Sequence, residues 1–516
     1  MKKTLIIFMS VLMLFALTST SYVNAEEDSL TIGMDSDATS LDPRFVTTTS
    51  GMYITSQMYN GLIKLNKNLE YVPDLATFEN PSDTEYLFHI EKGVKFHDGH
   101  EITAEDVKFT FESMLDPEVG SPKSGNYTNL VGAEAFRNGE AEHVKGIEII
   151  DDYTVKFVVK EPFAPFMVNM NIGIIPKHLL QDEDYDFEEH PVGTGPFKFS
   201  EREVDQETVI VANDEYFEGR PNIDKAIYKV VPESSVGVVE LETGAIDVLM
   251  SITNDDRTII ENNDELVLSS IAGTNYNYIG FNVTNEPVDN KYLRKAIAYS
   301  LDKDAITEHF NGSRTVVPLP TSSALAQEYA QDEEINQYEY SYKNAKEMLE
   351  KADYNDEEVT IKTSEGREEL AQIMQQYMKA AGINTNIELL EWGTFYEDVK
   401  QGRAEIYLLG WYGIIDPDGY WFFHSEMTPP EGGANRMFYS NEEVDELIEE
   451  GRRTLDPEGR KEVYREMYKK ITDDVPMIFL YSEADLAAYR KGIEGFEAAP
   501  YPVTILHKLK DVKIVD

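Results

Sequence analysis

The chain opens on an export signal yet carries no cysteine anywhere in its 516 residues. Lys2-Lys3 precedes an apolar run from Leu5 to Leu17, and the polar stretch after it ends in the small-x-small triplet Val23-Asn24-Ala25. That is the layout of a cleavable secretory signal, with cleavage expected after Ala25. At 1.5 Å per residue the apolar run rises only about 20 Å, short of the roughly 30 Å of bilayer hydrocarbon, so a membrane anchor is the poorer reading. No later stretch is apolar enough to span. An exported chain without cysteine cannot be stapled by disulfides, lipid-modified on a terminal thiol, or built around thiolate catalysis or thiolate metal ligands. It must be held by its apolar core alone, free in the periplasm or an equivalent extracytoplasmic space.

The core is affordable in size: 41% of residues are hydrophobic and 11% aromatic, including 30 Tyr and 24 Phe. These values exclude a disordered or fibrous chain, and the length predicts two or three domains. With 46 Lys and Arg against 95 Asp and Glu, the net charge is −49. Such a chain is repelled by nucleic acid and by anionic lipid. Its carboxylates are scattered along the whole length, which favours a solvated acidic surface suited to a salty medium over a single cation-attracting cleft.

Periodicity predicts a strand at Leu30–Met34, strands at Tyr86–Ile90 and Val94–His97, and a helix Ala104–Leu115 capped by Thr103 with Asp106 in the capping-box position. A hairpin is expected from Ile147–Ile150 and Thr154–Val159. Strands run on to Val231, followed by a helix Ser234–Thr243, a short strand Ala245–Leu249, a strand Tyr278–Val283 and an amphipathic helix Lys291–Ser300. The second half alternates helix and strand: Ala345–Ala352, Val359–Lys362, Arg367–Ala381, Thr385–Leu390 and Ile406–Gly410. Ser440-Asn441-Glu442-Glu443 opens a helix to about Arg453, and Asp456-Pro457 caps the next. The fold class is α/β, with a mixed first lobe interrupted by an inserted subdomain and a βα-rich second lobe.

Catalytic signatures are sparse. His97-Asp98-Gly99-His100 is the one close histidine pair, but Gly99 marks a turn and not the helix of a zinc protease, so both read as surface-turn residues. Gly193-Thr194-Gly195 runs into Pro196-Phe197 and not into a helix, which excludes a dinucleotide fingerprint. The carboxylates of Asp416-Pro417-Asp418-Gly419 lack EF-hand spacing and suit a plain turn; a secreted hydrolase using Asp416 and Asp418 is a remote alternative. The tryptophans carry more information. Trp392 and Trp411 each follow a strand, where ligands sit in α/β lobes, and both read as pocket walls; Trp421 reads as core.

In order, Ser40-Leu41-Asp42-Pro43, Met58-Tyr59-Asn60-Gly61-Leu62, Phe96-His97-Asp98-Gly99 with Thr103-Ala104-Glu105-Asp106-Val107, Val192 to Phe197, Leu241 to Asp247, Leu293 to Lys303 and Glu391-Trp392 form a series. This series resembles the extracytoplasmic solute-binding proteins of peptide-type ABC importers, the family of dipeptide-, oligopeptide-, nickel- and glutathione-binding proteins, over essentially all of residues 28–516. The resemblance implies two hinged lobes closing on a ligand, here peptides or peptide-like solutes, and delivery to a permease powered by ATPase subunits. Glutathione, a nickel complex or an oligosaccharide is the alternative ligand. It implies no enzyme activity, no cofactor, no metal and a monomer. Domain boundaries follow: leader 1–25; first domain 26–50, 191–275 and 489–516; inserted subdomain 51–190; second domain 276–488.

The resemblance also proposes ligand contacts: Gly410, Trp411 and Tyr412 at the strand end, Trp392 beside it, Arg367 as a carboxylate anchor, and Tyr127 from the inserted subdomain. Peptide-binding relatives place an Asp three residues after the strand-end Trp to pair with the ligand's amino group. Here that position is Ile414, and Asp416 is the nearest replacement.

Overall fold

The computed structural model describes residues 28–66, 70–182, 184–250, 252–310, 314–316, 319, 334–413, 416–496 and 509–515. The leader and Ile414 lie outside the described residues. One twelve-stranded sheet runs through both lobes. In the first lobe Ser29–Met34 lies parallel to Lys225–Val230 and Val248–Leu249, with Glu207–Ala212 and Phe197–Glu203 extending the sheet antiparallel. In the second, Val359–Ser364 lies parallel to Thr385–Leu390 and Ile406–Trp411. All six residues of Tyr276–Phe281 are buried, as a strand covered on both faces requires.

The inserted subdomain has its own four-stranded antiparallel sheet, ordered Ala76–Ser82, Glu85–Ile90, Thr154–Val158, Ile147–Asp151. Helix Ala104–Leu115 packs on it through Phe111, whose ring meets those of Tyr127 and Phe157 edge-on. At its start the Asp106 carboxylate accepts the Thr103 backbone N–H at 2.9 Å, the reach-back half of a capping box. The expected strand Val94–His97 does not form; only Lys95 makes an isolated bridge, to Glu101. The segment is bounded by turns, and the His97 backbone and ring bond instead to Gly193 and Gly195. Gly193 is demanded there by close approach: a Cβ would stand 2.0 Å from the Met58 carbonyl oxygen.

Two chain segments carry the sheet from lobe to lobe. One links Leu266–Ala272 to Tyr276–Phe281; the other is the unbroken fourteen-residue strand Met477–Arg490. Residues 484–490 of that strand pair with Leu266–Ala272, while residues 477–483 pair with Tyr276–Phe281 and Arg314–Val316. Its partners therefore change between Glu483 and Ala484, within the strand and close to a register shift opposite Asn277 and Tyr278, and not at the expected boundary of 488 and 489. A strand that keeps its conformation while changing partners carries no turn residue to betray the switch. At this crossing the Asn275 amide donates to the Glu483 carbonyl and accepts its N–H, both at 2.8 Å. Gly273 lets the strands approach, since a Cβ would meet the Glu483 carbonyl oxygen at 2.2 Å. Asn275→Ala removes both of these side-chain hydrogen bonds to the crossing strand, and urea unfolding is expected to show a loss of about 1–3 kcal/mol. A loss under a few tenths would mean that water replaces the amide.

Candidate functional site

Parallel strands present their carboxyl ends in two places, which is where open α/β sheets bind ligands. In the first lobe the residues that follow Met34, Val230 and Leu249 line a cavity of about 420 Å³, together with Tyr53 and Ala484–Leu486 of the crossing strand. Asp35, Glu233 and Asp485 contribute carboxylates, and no Lys or Arg lines it among the described residues. Burial pushes the Asp485 carboxyl up to about 7; the Thr274 backbone N–H pulls the other way and Glu483 adds to the rise.

In the second lobe Val359–Ser364, Thr385–Leu390 and Ile406–Trp411 end at one edge. The Trp411 ring is half-buried, 4.8 Å from the Phe422 ring between centroids. The Arg436 guanidinium lies 4.2 Å above Trp411 and 5.2 Å from the Tyr396 ring, whose hydroxyl accepts its hydrogen bond at 2.8 Å. Tyr396 in turn stacks on Trp392 with 5.5 Å between centroids and 14° between planes. The two tryptophans singled out in the sequence thus belong to one continuous stack, Trp411–Arg436–Tyr396–Trp392. A cation between aromatic faces is stabilised by their quadrupoles, which fixes the tilt of both rings. Trp392 remains 51% exposed and Tyr412 63%, so both offer surface at this edge. Gly410 pairs across the sheet with Asn277.

A cleft of about 860 Å³ lies between the inserted subdomain and the second lobe. Asn126, Thr128 and Phe163 wall one side; Asp416, Trp421 and Arg452 wall the other. Asp416 is not a free anion. Arg460 holds it bidentately at 2.7 and 2.8 Å, and its Oδ1 also accepts the Asp418 backbone N–H at 2.8 Å. Asp418 pairs with Arg452 at 3.2 Å; burial raises its carboxyl to about 6, with Arg452 opposing the rise. The Arg452 guanidinium covers the Tyr420 ring at 3.8 Å and reaches the Phe163 ring at 5.0 Å. Helix Glu442–Arg453 accordingly packs against Ala164–Asn171 across the cleft.

Four sequence expectations are corrected here. Asp416 cannot take over the role of the Asp missing at position 414 without giving up Arg460. Tyr127 does not face the cleft: it is 2% exposed and its hydroxyl donates to the Asn169 carbonyl at 3.0 Å. The 3-10 turn Ser124–Tyr127 turns Tyr127 inward and leaves its neighbours Asn126 and Thr128 on the cleft wall. Arg367 lines neither cavity; it occupies the N-cap of helix Glu368–Ala381, half-buried. Trp421, read as core, is 49% exposed and lines the cleft. The sequence reading missed Arg436, Arg452 and Arg460. Arg452 ends an acidic helix, where a cation suits the macrodipole and reads as surface, and the partners of all three come from distant segments.

Comparison with known proteins agrees with this architecture. The family described as "Bacterial extracellular solute-binding proteins, family 5 Middle" matches residues 70–433. The oligopeptide-binding protein AppA of Bacillus subtilis (strain 168) is 30% identical, over 97% of this chain and 97% of its own. The glutathione-binding protein GsiB of Pectobacterium atrosepticum is 28% identical over 93% of each chain. The solved structure of Bacillus subtilis AppA in complex with a nonapeptide superposes with a TM-score of 0.75 at 29% identity, covering 95% of this chain and 99% of that one.

Proposed function

Because this chain belongs to the family 5 bacterial extracellular solute-binding proteins, we propose that it captures a peptide or peptide-like solute between its lobes and delivers it to a membrane permease driven by ATPase subunits. The observation that carries this reading is the cleft itself: its two walls come from different lobes, and among the described residues two chain segments cross between the lobes. Such a layout supports hinge closure around Gly273–Asn275 and Glu483–Ala484, with ligand contacts to both walls stabilising the closed form by their differential affinity. The oligopeptide-binding name of the Bacillus relative and its nonapeptide complex support a peptide. The protein acts as a monomer and receptor, not as an enzyme. The carboxylates a hydrolase would need, Asp416 and Asp418, are engaged by Arg460 and Arg452, so neither is placed as a free general base. Export follows cleavage after Ala25, so the mature chain starts at Glu26.

Mass spectrometry of the small molecules released on denaturing purified mature protein tests the reading. A ladder of short peptide masses is the expected result. A single non-peptide mass would move the assignment to glutathione, a metal chelate or a sugar, checked by ligand-induced thermal shift.

A further inference from the structure

The inserted subdomain gathers three side chains of metal-ligating type outside either cavity described above. Asp98 and His100 stand on the turn after Phe96, and His178 on the short helix Lys177–Leu180. One ligand atom from each lies within 4.8 Å of the other two. His178 Nε2 is 2.6 Å from Asp98 Oδ2, and His100 Nδ1 is 3.2 Å from the same oxygen. The two imidazole rings face each other at 3.9 Å between centroids, tilted by 32°.

The arrangement is anchored on both sides. His97, next to Asp98 in the chain, is tied to the Gly193–Gly195 backbone at both ring nitrogens, at 3.2 and 3.0 Å. Asp98 Oδ1 accepts the His100 backbone N–H at 3.1 Å, which fixes the carboxylate and leaves Oδ2 facing the rings. Phe96 packs edge-on against His178 with 6.2 Å between centroids. The side chains of His100, His178 and Asp98 are 64%, 31% and 23% exposed, so an ion has an open approach.

We propose that Asp98, His100 and His178 form a binding site for a divalent transition-metal ion, with Zn²⁺ or Ni²⁺ as the fitting class. Two imidazole nitrogens and one carboxylate oxygen suit a borderline ion, whereas Ca²⁺ and Mg²⁺ call for oxygen donors throughout. Three protein ligands leave at least one coordination position to water. The ion would take the place of the direct His178 Nε2–Asp98 Oδ2 contact, and would clip the turn to the 177–180 helix. Nothing in this assignment depends on which solute fills the interlobe cleft.

Isothermal titration of untagged mature protein with ZnCl₂, repeated with NiCl₂, tests it. One saturable equivalent is expected in the parent protein, weakened at least about 10-fold in His100→Ala and in His178→Ala, since loss of a direct ligand costs no less than loss of its supporting partner. His143→Ala, on a histidine remote from the cluster, is the control and should titrate like the parent. The unfolding midpoint should rise with Zn²⁺ in the parent and stay still in His100→Ala, whose exposed ring makes the metal-free fold insensitive to the change. Equal affinity in the parent and both variants would overturn the assignment, as would no saturable binding in the parent below about 1 mM.

Discussion

Arg460→Ala is expected to cost about 3–5 kcal/mol of unfolding free energy, among the largest effects of any single substitution in the second lobe. Arg460 makes four hydrogen bonds beneath the cleft: two to Asp416 of the loop, at 2.7 and 2.8 Å, and one each to the Gly451 carbonyl at 3.1 Å and the Tyr464 hydroxyl at 3.2 Å. Truncation leaves the Asp416 carboxylate in a largely desolvated place with no cation, and that stranded charge supplies most of the cost. The damage also passes to the cleft wall. Asp416 Oδ1 orients the Asp418 backbone, Asp418 holds Arg452, and Arg452 lies against Phe163 of the opposite wall. Ligand affinity should therefore fall together with stability. Asp416→Asn is the informative companion, because the amide oxygen still accepts the Asp418 N–H while the charge is gone. Combined with Arg460→Ala it should lose less than the two single losses added, the sign of a pair that is costly to break and cheaper to remove together. Urea unfolding of the four proteins measures this. A loss below about 1 kcal/mol in Arg460→Ala would place the pair with solvent-screened surface bridges instead.

What could be read in the sequence was local. Helix Ala104–Leu115 and helix Pro457–Asp474 have the expected starts because their signals sit within three residues: Asp106 reaching back to Thr103, and Asp456 accepting the Gly459 N–H at 2.7 Å behind Pro457. Strand Ile406–Trp411 stands out for the same reason, as an apolar run bounded by polar turns, and Thr385–Leu390 by its alternation of polar and apolar residues. Trp392 and Trp411, expected as pocket walls from their position after strands, line neither described cavity; the stack that joins them depends on Arg436, which the sequence places on an unremarkable loop. The Asp416 carboxylate shows the limit most clearly. Its spacing from Asp418 suggested either a turn or a free anion for a ligand; the guanidinium that decides between them comes from 44 residues away. Tyr127 failed at a finer grain. Its segment does border the cleft, and a one-residue phase in a 3-10 turn sends the tyrosine into the core and Asn126 to the surface. Residue contacts across lobes, and the strand that changes partners at Glu483, have no local signature at all.

The second large effect concerns pH. Asp485 sits on the crossing strand at the cavity shared with Asp35 and Glu233, and burial raises its carboxyl to about 7 from an ordinary value of 3.8. A carboxyl whose folded value lies above its unfolded value binds its proton more tightly in the native state. It therefore contributes stability that is complete below pH 3.8 and is lost as the pH rises toward 7. Asp485→Asn removes the ionisation while the amide oxygen can still accept the Thr274 N–H. At pH 4 the variant and the parent should unfold at similar urea concentrations. By pH 8 the variant should be more stable by about 2–4 kcal/mol, the difference opening across the interval between the two values. The groups facing Asp485 reinforce the sign: Glu483 raises its value, and the buried Tyr53 hydroxyl feels both Asp485 and Asp35 as negative neighbours. The protein's overall negative charge acts on parent and variant alike, so it cancels in the comparison. A stability difference that stays constant from pH 4 to pH 8 would show that Asp485 is already ionised in the native protein at acidic pH. In that case solvent or a counter-charge must reach it at the cavity it shares with Asp35 and Glu233.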